Sequence, residues 1–194
     1  LSLHDALPIS ISQKSSELIS LIRQFGKESG LFEDVRIEKF KGASGAEAFS
    51  IVYKKYGRDF FGNELGYGLG QIIPIATDLL LARAGSTFLV QQPEVHLHPK
   101  AQAAFGSLLF RVAKKGLRIV AETHSDFIID RYRIEQAESR EKIDSQILFF
   151  EKRSDSERPT FSTIRIGETG NLEEAPDTYR EFFIKESMAK LEKL

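Results

Sequence analysis

An apolar run from Ser86 to Val90 opens into Gln91, Gln92, Pro93 and Glu94, and then into His96 and His98. An apolar segment that stops at amides, a carboxylate and imidazoles reads as a buried strand delivering side chains to a site at its carboxyl end, where open α/β sheets do their chemistry. A nucleotide-hydrolysing site needs, at such a strand end, an acceptor for Mg²⁺ or its bound waters and a group that positions the attacking water. Here amides stand where carboxylates would serve. A glutamine carbonyl orients a water or accepts from a hydrated ion, but it carries no charge and is no useful base at neutral pH. Glu94 is the nearest carboxylate to compensate, and its plainer role is to accept hydrogen bonds that brace the loop.

Two further constellations belong with this one. Glu122-Thr123-His124-Ser125 follows a second apolar run, and an imidazole there can donate to a terminal phosphate oxygen and so report its presence. Gly66-Tyr67-Gly68-Leu69-Gly70-Gln71 precedes an apolar helical segment. Alternating glycines let a backbone approach a ligand closely, and the free N–H groups of a helix start suit phosphate, although such a run is as often a plain turn. His96, His98 and His124 with Glu94 or Glu122 also admit a rival reading as ligands of a transition metal such as Zn²⁺.

The elements that must position these residues follow from periodicity. Ser12 to Phe25 has helical spacing, and Val35 to Phe40 with Ala48 to Tyr56 alternate as a hairpin around Gly42-Ala43-Ser44-Gly45. Gln71 to Ala84 is apolar around most of its circumference and predicts a helix packed on several sides. The strand Thr87 to Val90, the helix Lys100 to Lys115 after Pro99, and the strand Leu117 to Ala121 form a parallel βαβ unit whose strand ends face one edge. Phe127 to Glu138 and Tyr179 to Leu194 predict helices, and Gln146 to Lys152 with Thr160 to Ile166 predicts a second antiparallel pair.

Composition bounds the reading. With 27 basic and 28 acidic side chains, the chain has no bulk attraction to nucleic acid or membrane. The absence of cysteine excludes disulfides and thiolate zinc sites and is consistent with a cytoplasmic protein. No apolar run approaches the roughly 20 residues of a membrane span. Leu3 to Ile9, LHDALPI, is what CTA CAC GAC GCT CTT CCG ATC encodes, a string that resembles a common sequencing-library adapter. Residues 1–9 are therefore expected to be an assembly artefact, and residues 10–194 a partial domain.

In their order, GYGLGQ, FLVQQPEVHLHP and VAETHS resemble the carboxyl-terminal half of an ABC/SMC-type ATPase, in particular the bacterial RecF-like and OLD-like AAA-family ATPases, over about residues 30–180. The later IGETGNLEEAP is similar too. The resemblance implies an α/β P-loop NTPase fold with a mostly parallel core sheet, antiparallel hairpins and helices on both faces. It implies ATP and Mg²⁺ as cofactors, a homodimer formed through the nucleotide, and work on DNA or in phage defence with a DNA or nuclease partner. By the same resemblance Gly68, Gly70 and Gln71 form a signature that contacts the opposing subunit's nucleotide. Gln91 takes the Walker B position toward Mg²⁺, Gln92 the catalytic carboxylate position, His98 lies in the D-loop, and His124 is the γ-phosphate switch. The chain departs from that pattern at both amides, at Gly70 where serine is usual, and in having no GxxxxGK[ST] loop, which in this family lies upstream. The two glutamines leave a second expectation open, a nucleotide-responsive interaction module with little or no catalysis.

Overall fold

The computed structural model describes residues 3–41, 47–152 and 158–191. The chain divides into two compact units, Leu1–Tyr132 and Arg133–Leu194.

In the first unit, helix α1 (Leu3–Ser29) leads into strands β1 (Asp34–Lys41), β2 (Glu47–Lys55) and β3 (Arg58–Phe61). The helix starts well before the predicted Ser12, and Ile22, Phe25 and Ser29, in its last two turns, are buried. β1 and β2 pair antiparallel, as their alternation predicts, from Asp34↔Lys54 to Lys41↔Glu47. The expected Gly42-Ala43-Ser44-Gly45 turn lies outside the described residues. β3 was not predicted. It pairs with β2 across Tyr56 and Gly57, whose φ values of 52° and 72° give the two-residue hairpin turn that matches strand twist.

Helix α2 (Tyr67–Leu81) and helix α3 (Pro99–Lys114) supply most of the core with α1. Leu69, Ile72, Ile73, Ala76 and Leu79 recur at helical spacing on α2, and Ala101, Ala104, Phe105, Leu108, Leu109 and Val112 do so on α3. α2 begins four residues earlier than the predicted Gln71. Burial of Leu69 outweighs the poor helix propensity of Gly68 and Gly70, so the glycine segment is the first turns of the helix, not a loop before it. Pro74 sits inside α2 and has no N–H to offer the Gly70 carbonyl.

Strands β4 (Thr87–Gln91) and β5 (Arg118–Glu122) flank α3 and pair in parallel from Thr87↔Arg118 to Gln91↔Glu122. The predicted βαβ unit is thus present. Of the expected core sheet, the described residues include this one parallel pair, and the other pairings among them are antiparallel, as hairpins. The strands are not buried on both sides. Phe88, Ile119 and Ala121 pack against the core, whereas Leu89 is 74% and Val120 60% exposed. An apolar run supplies side chains for two faces, and here one face meets helices.

Helix α4 (Asp126–Glu138) spans the division between the units. In the second unit, β6 (Gln146–Glu151) and β7 (Thr160–Ile166) form the predicted antiparallel pair, and the short β8 (Leu172–Glu173) adds to β7. Buried Gln136 fixes the approach to β6 by donating to the Ile143 carbonyl at 2.9 Å and accepting from the Ile143 N–H at 3.2 Å. Helix α5 (Glu181–Leu191) covers most of the predicted terminal helix. Among the described residues no helix is long and apolar enough to cross a membrane.

Candidate functional site

The carboxyl ends of β4 and β5 bring the three sequence constellations to one edge of the first unit. Gln91 and Glu122 are register partners, and the Gln91 amide donates to Glu122 Oε2 at 3.1 Å. The Gln92 N–H continues the ladder to the Glu122 carbonyl at 2.8 Å. The chain then turns sharply. Gln92 and His96 have φ of 44° and 64°, a left-handed conformation that costs a non-glycine residue of the order of 1 kcal/mol or more. Pro93 and Leu97 are buried beneath this turn, and the Leu97 N–H donates to the Glu94 carbonyl at 2.9 Å.

Glu94 ties this turn to the loop after β5. Its Oε1 accepts from the His124 N–H at 2.6 Å, while its Oε2 is buried without a hydrogen-bond partner. The bracing role expected of this residue is therefore realised through one oxygen. Gln102, on the first turn of α3, makes a second tie that the sequence does not announce. It donates to the Leu97 carbonyl at 2.7 Å and accepts from Ser125 Oγ at 2.6 Å. Ser125 Oγ in turn accepts from the Ile128 N–H at 3.2 Å at the start of α4, and Thr123 Oγ1 accepts from the Ser125 N–H at 3.0 Å. The His124 side chain, held on this braced loop, is exposed.

The glycine segment reaches the same place. A Cβ on Gly68 would lie 2.4 Å from the His96 carbonyl oxygen, so the close approach of α2 to the β4 turn requires glycine there. Tyr67 meets the His96 ring edge-on, with centroids 4.8 Å apart. Gly70, by contrast, has open space where a Cβ would sit. Gln71 Oε1 is buried and unpartnered. The N-cap of α2, Gly66, makes no side-chain cap hydrogen bond to the first N–H groups of the helix.

The three histidines do not converge as ligands. His98 Nδ1 accepts from the Ala101 N–H at 3.3 Å and caps α3, and His96 faces Tyr67. Among the described residues no group of three His, Asp or Glu side chains could hold a metal, so the zinc reading is set aside. Mg²⁺ makes a smaller demand, one or two carboxylates with waters and phosphate oxygens supplying the rest. The amide oxygens of Gln91 and Gln92 and the Glu122 carboxylate are hard oxygen donors of that kind at one strand edge, and they fit it.

A family model described as "AAA domain, putative AbiEii toxin, Type IV TA system" matches residues 3–130, which include the whole of this edge. An OLD nuclease of Thermus scotoductus is 30% identical over 97 residues, 48% of this chain; the chain spans 18% of that relative's length. A solved structure concerned with ATP-driven dimerization and DNA-stimulated activation of SMC ATPases aligns with a TM-score of 0.49 at 11% identity, covering 88% of this chain and 96% of that one.

Proposed function

The chain belongs to this family of AAA domains, and from that premise we propose that it is the carboxyl-terminal portion of an ABC-like P-loop ATPase domain that binds ATP with Mg²⁺ between two subunits. Nucleotide binding, with slow hydrolysis, acts as a conformational switch rather than as metabolic chemistry. The observation that carries this reading is the meeting of three separate sequence motifs at one strand edge: Gly68 against the His96 carbonyl, Gln91 beside Glu122, and Glu94 on the His124 N–H.

Each residue then has a task. Gln91 accepts from hydrated Mg²⁺, Gln92 orients the attacking water, and His124 donates to the γ-phosphate. Gly68, Gly70 and Gln71 present the start of α2 to the nucleotide of the opposing subunit. His98, through its cap on α3, sets the turn that faces that subunit. Mg²⁺, when bound, neutralises charge developing on the phosphate oxygens. A homodimer closed through the nucleotide is the corresponding assembly; the nuclease relative supports work beside a nuclease, and the motif resemblance supports a role on DNA or in phage defence.

The two amides favour a second reading, a nucleotide-responsive interaction module that binds ATP without turnover. ATP hydrolysis by the full-length parent protein separates the two. The switch reading expects slow turnover, raised in Gln91→Glu and Gln92→Glu and abolished in His124→Ala. Binding without turnover in any variant favours the module, and a parent that binds no ATP ends both.

A further inference from the structure

We propose that Glu122 supplies the negative charge toward Mg²⁺ at this site, performing from β5 the duty that the amide of Gln91 cannot perform from β4. The inference rests on the ATP-site reading and assigns a residue that this reading leaves out. Its starting point is a deficit of charge. A hydrated Mg²⁺ between phosphates is held at a strand end by an anionic oxygen, and an amide offers only a dipole.

The register of the parallel pair points to where the charge lies. Gln91 and Glu122 are direct partners, so their side chains leave the same face of the sheet at the same level. The 3.1 Å bond from Gln91 Nε2 to Glu122 Oε2 places the carboxylate within one hydrogen bond of the strand end of β4. The bond also fixes the amide's orientation, because only its nitrogen can donate to a carboxylate. Gln91 Oε1 and Glu122 Oε1 are then left as acceptors, one neutral and one anionic.

Glu122 has no competing employment among the described residues. Three other acidic groups of the first unit each have a guanidinium beside them: Asp34 has Arg23, Glu28 has Arg111, and Asp59 has Arg36. Among the described residues no lysine or arginine pairs with Glu122, and the one side-chain bond it makes there is the one from Gln91. Glu94, the other carboxylate at this edge, already spends one oxygen on the His124 N–H, and its other oxygen is buried. An exposed anion at the end of a parallel strand, oriented by an amide and free of counter-charge, is suited to a cation that arrives with the nucleotide.

The test measures metal, not turnover. The parent protein is titrated with Mn²⁺ in the presence of the non-hydrolysable analogue AMPPNP, and bound Mn²⁺ is counted by electron paramagnetic resonance. Glu122→Gln should weaken Mn²⁺ binding by about 10-fold to 100-fold while AMPPNP still binds in EDTA. Glu122→Asp, which keeps the charge, should retain most of the affinity, and Gln91→Asp in the Glu122→Gln background should recover it. Unchanged Mn²⁺ affinity in Glu122→Gln overturns the proposal, as does a loss seen with Glu94→Gln but not with Glu122→Gln. A parent that binds no AMPPNP with or without Mn²⁺ defeats the ATP-site reading itself, and the proposal with it.

Discussion

At the scale of single residues, the candidate site is held by a few side chains whose replacement has different signs. Gly68→Ala forces a Cβ against the His96 carbonyl and should lower the melting temperature, whereas Gly70→Ala meets open space and should raise stability by about 0.5–1 kcal/mol through helix propensity. A thermal melt of the pair distinguishes a close approach from a plain helical turn. Gln102→Leu removes the tie between the two loops and leaves the Leu97 carbonyl and Ser125 hydroxyl short of a partner. It should cost about 1–3 kcal/mol in urea unfolding, with an unchanged denaturant slope. Much at this scale was readable in advance. Gln91, Gln92 and His124 lie at one edge because a βαβ unit must end both strands there, and Gly68 reaches it through the packing of α2 against the His96 carbonyl. Gln102 was not readable, since a glutamine two residues into an amphipathic helix looks like any solvated position.

At the scale of elements, β1 and β3 are joined over β2 by one arginine. Arg36 grips both oxygens of Asp59 at 2.9 Å and also bonds Glu38, over the buried Val52. The Arg36 hydrogen bond holds the Asp59 carboxyl below its ordinary range, and the Arg23 hydrogen bond does the same to Asp34, which joins α1 to β1. Depressed carboxylates stabilise the fold above their unfolded pKa, and that contribution is lost as the pH falls through the lower folded value. Asp34→Asn and Asp59→Asn should therefore be less stable than the wild type near neutral pH, by the small amount typical of exposed pairs. The difference should vanish in strong acid, as followed by circular dichroism against pH. The helices and long strands were legible in periodicity. β3 and β8 were not, because strands of four and two residues carry too few positions for alternation to register.

At the scale of the whole molecule, stability is concentrated where α1, α2 and α3 meet, and the outer face of β4 and β5 contributes little. Phe105→Ala, at the fully buried centre of α3, should cost about 3–5 kcal/mol, and Leu89→Ser, on the exposed strand face, less than about 0.5 kcal/mol. Guanidinium unfolding of the two variants checks the contrast. Apolar runs alone predicted two buried strand faces; which face is covered depends on partners that a run of valine and leucine does not name. The register pair Gln91 and Glu122 has a consequence of a different kind. Glutamine and glutamate codons differ at their first base, and the two side chains have nearly the same volume. A single transversion at either strand end would add or remove an acid, and one at each would move it, while leaving the backbone and its ladder as they are. This edge is a place where a lineage can turn its chemistry up or down without having to refold.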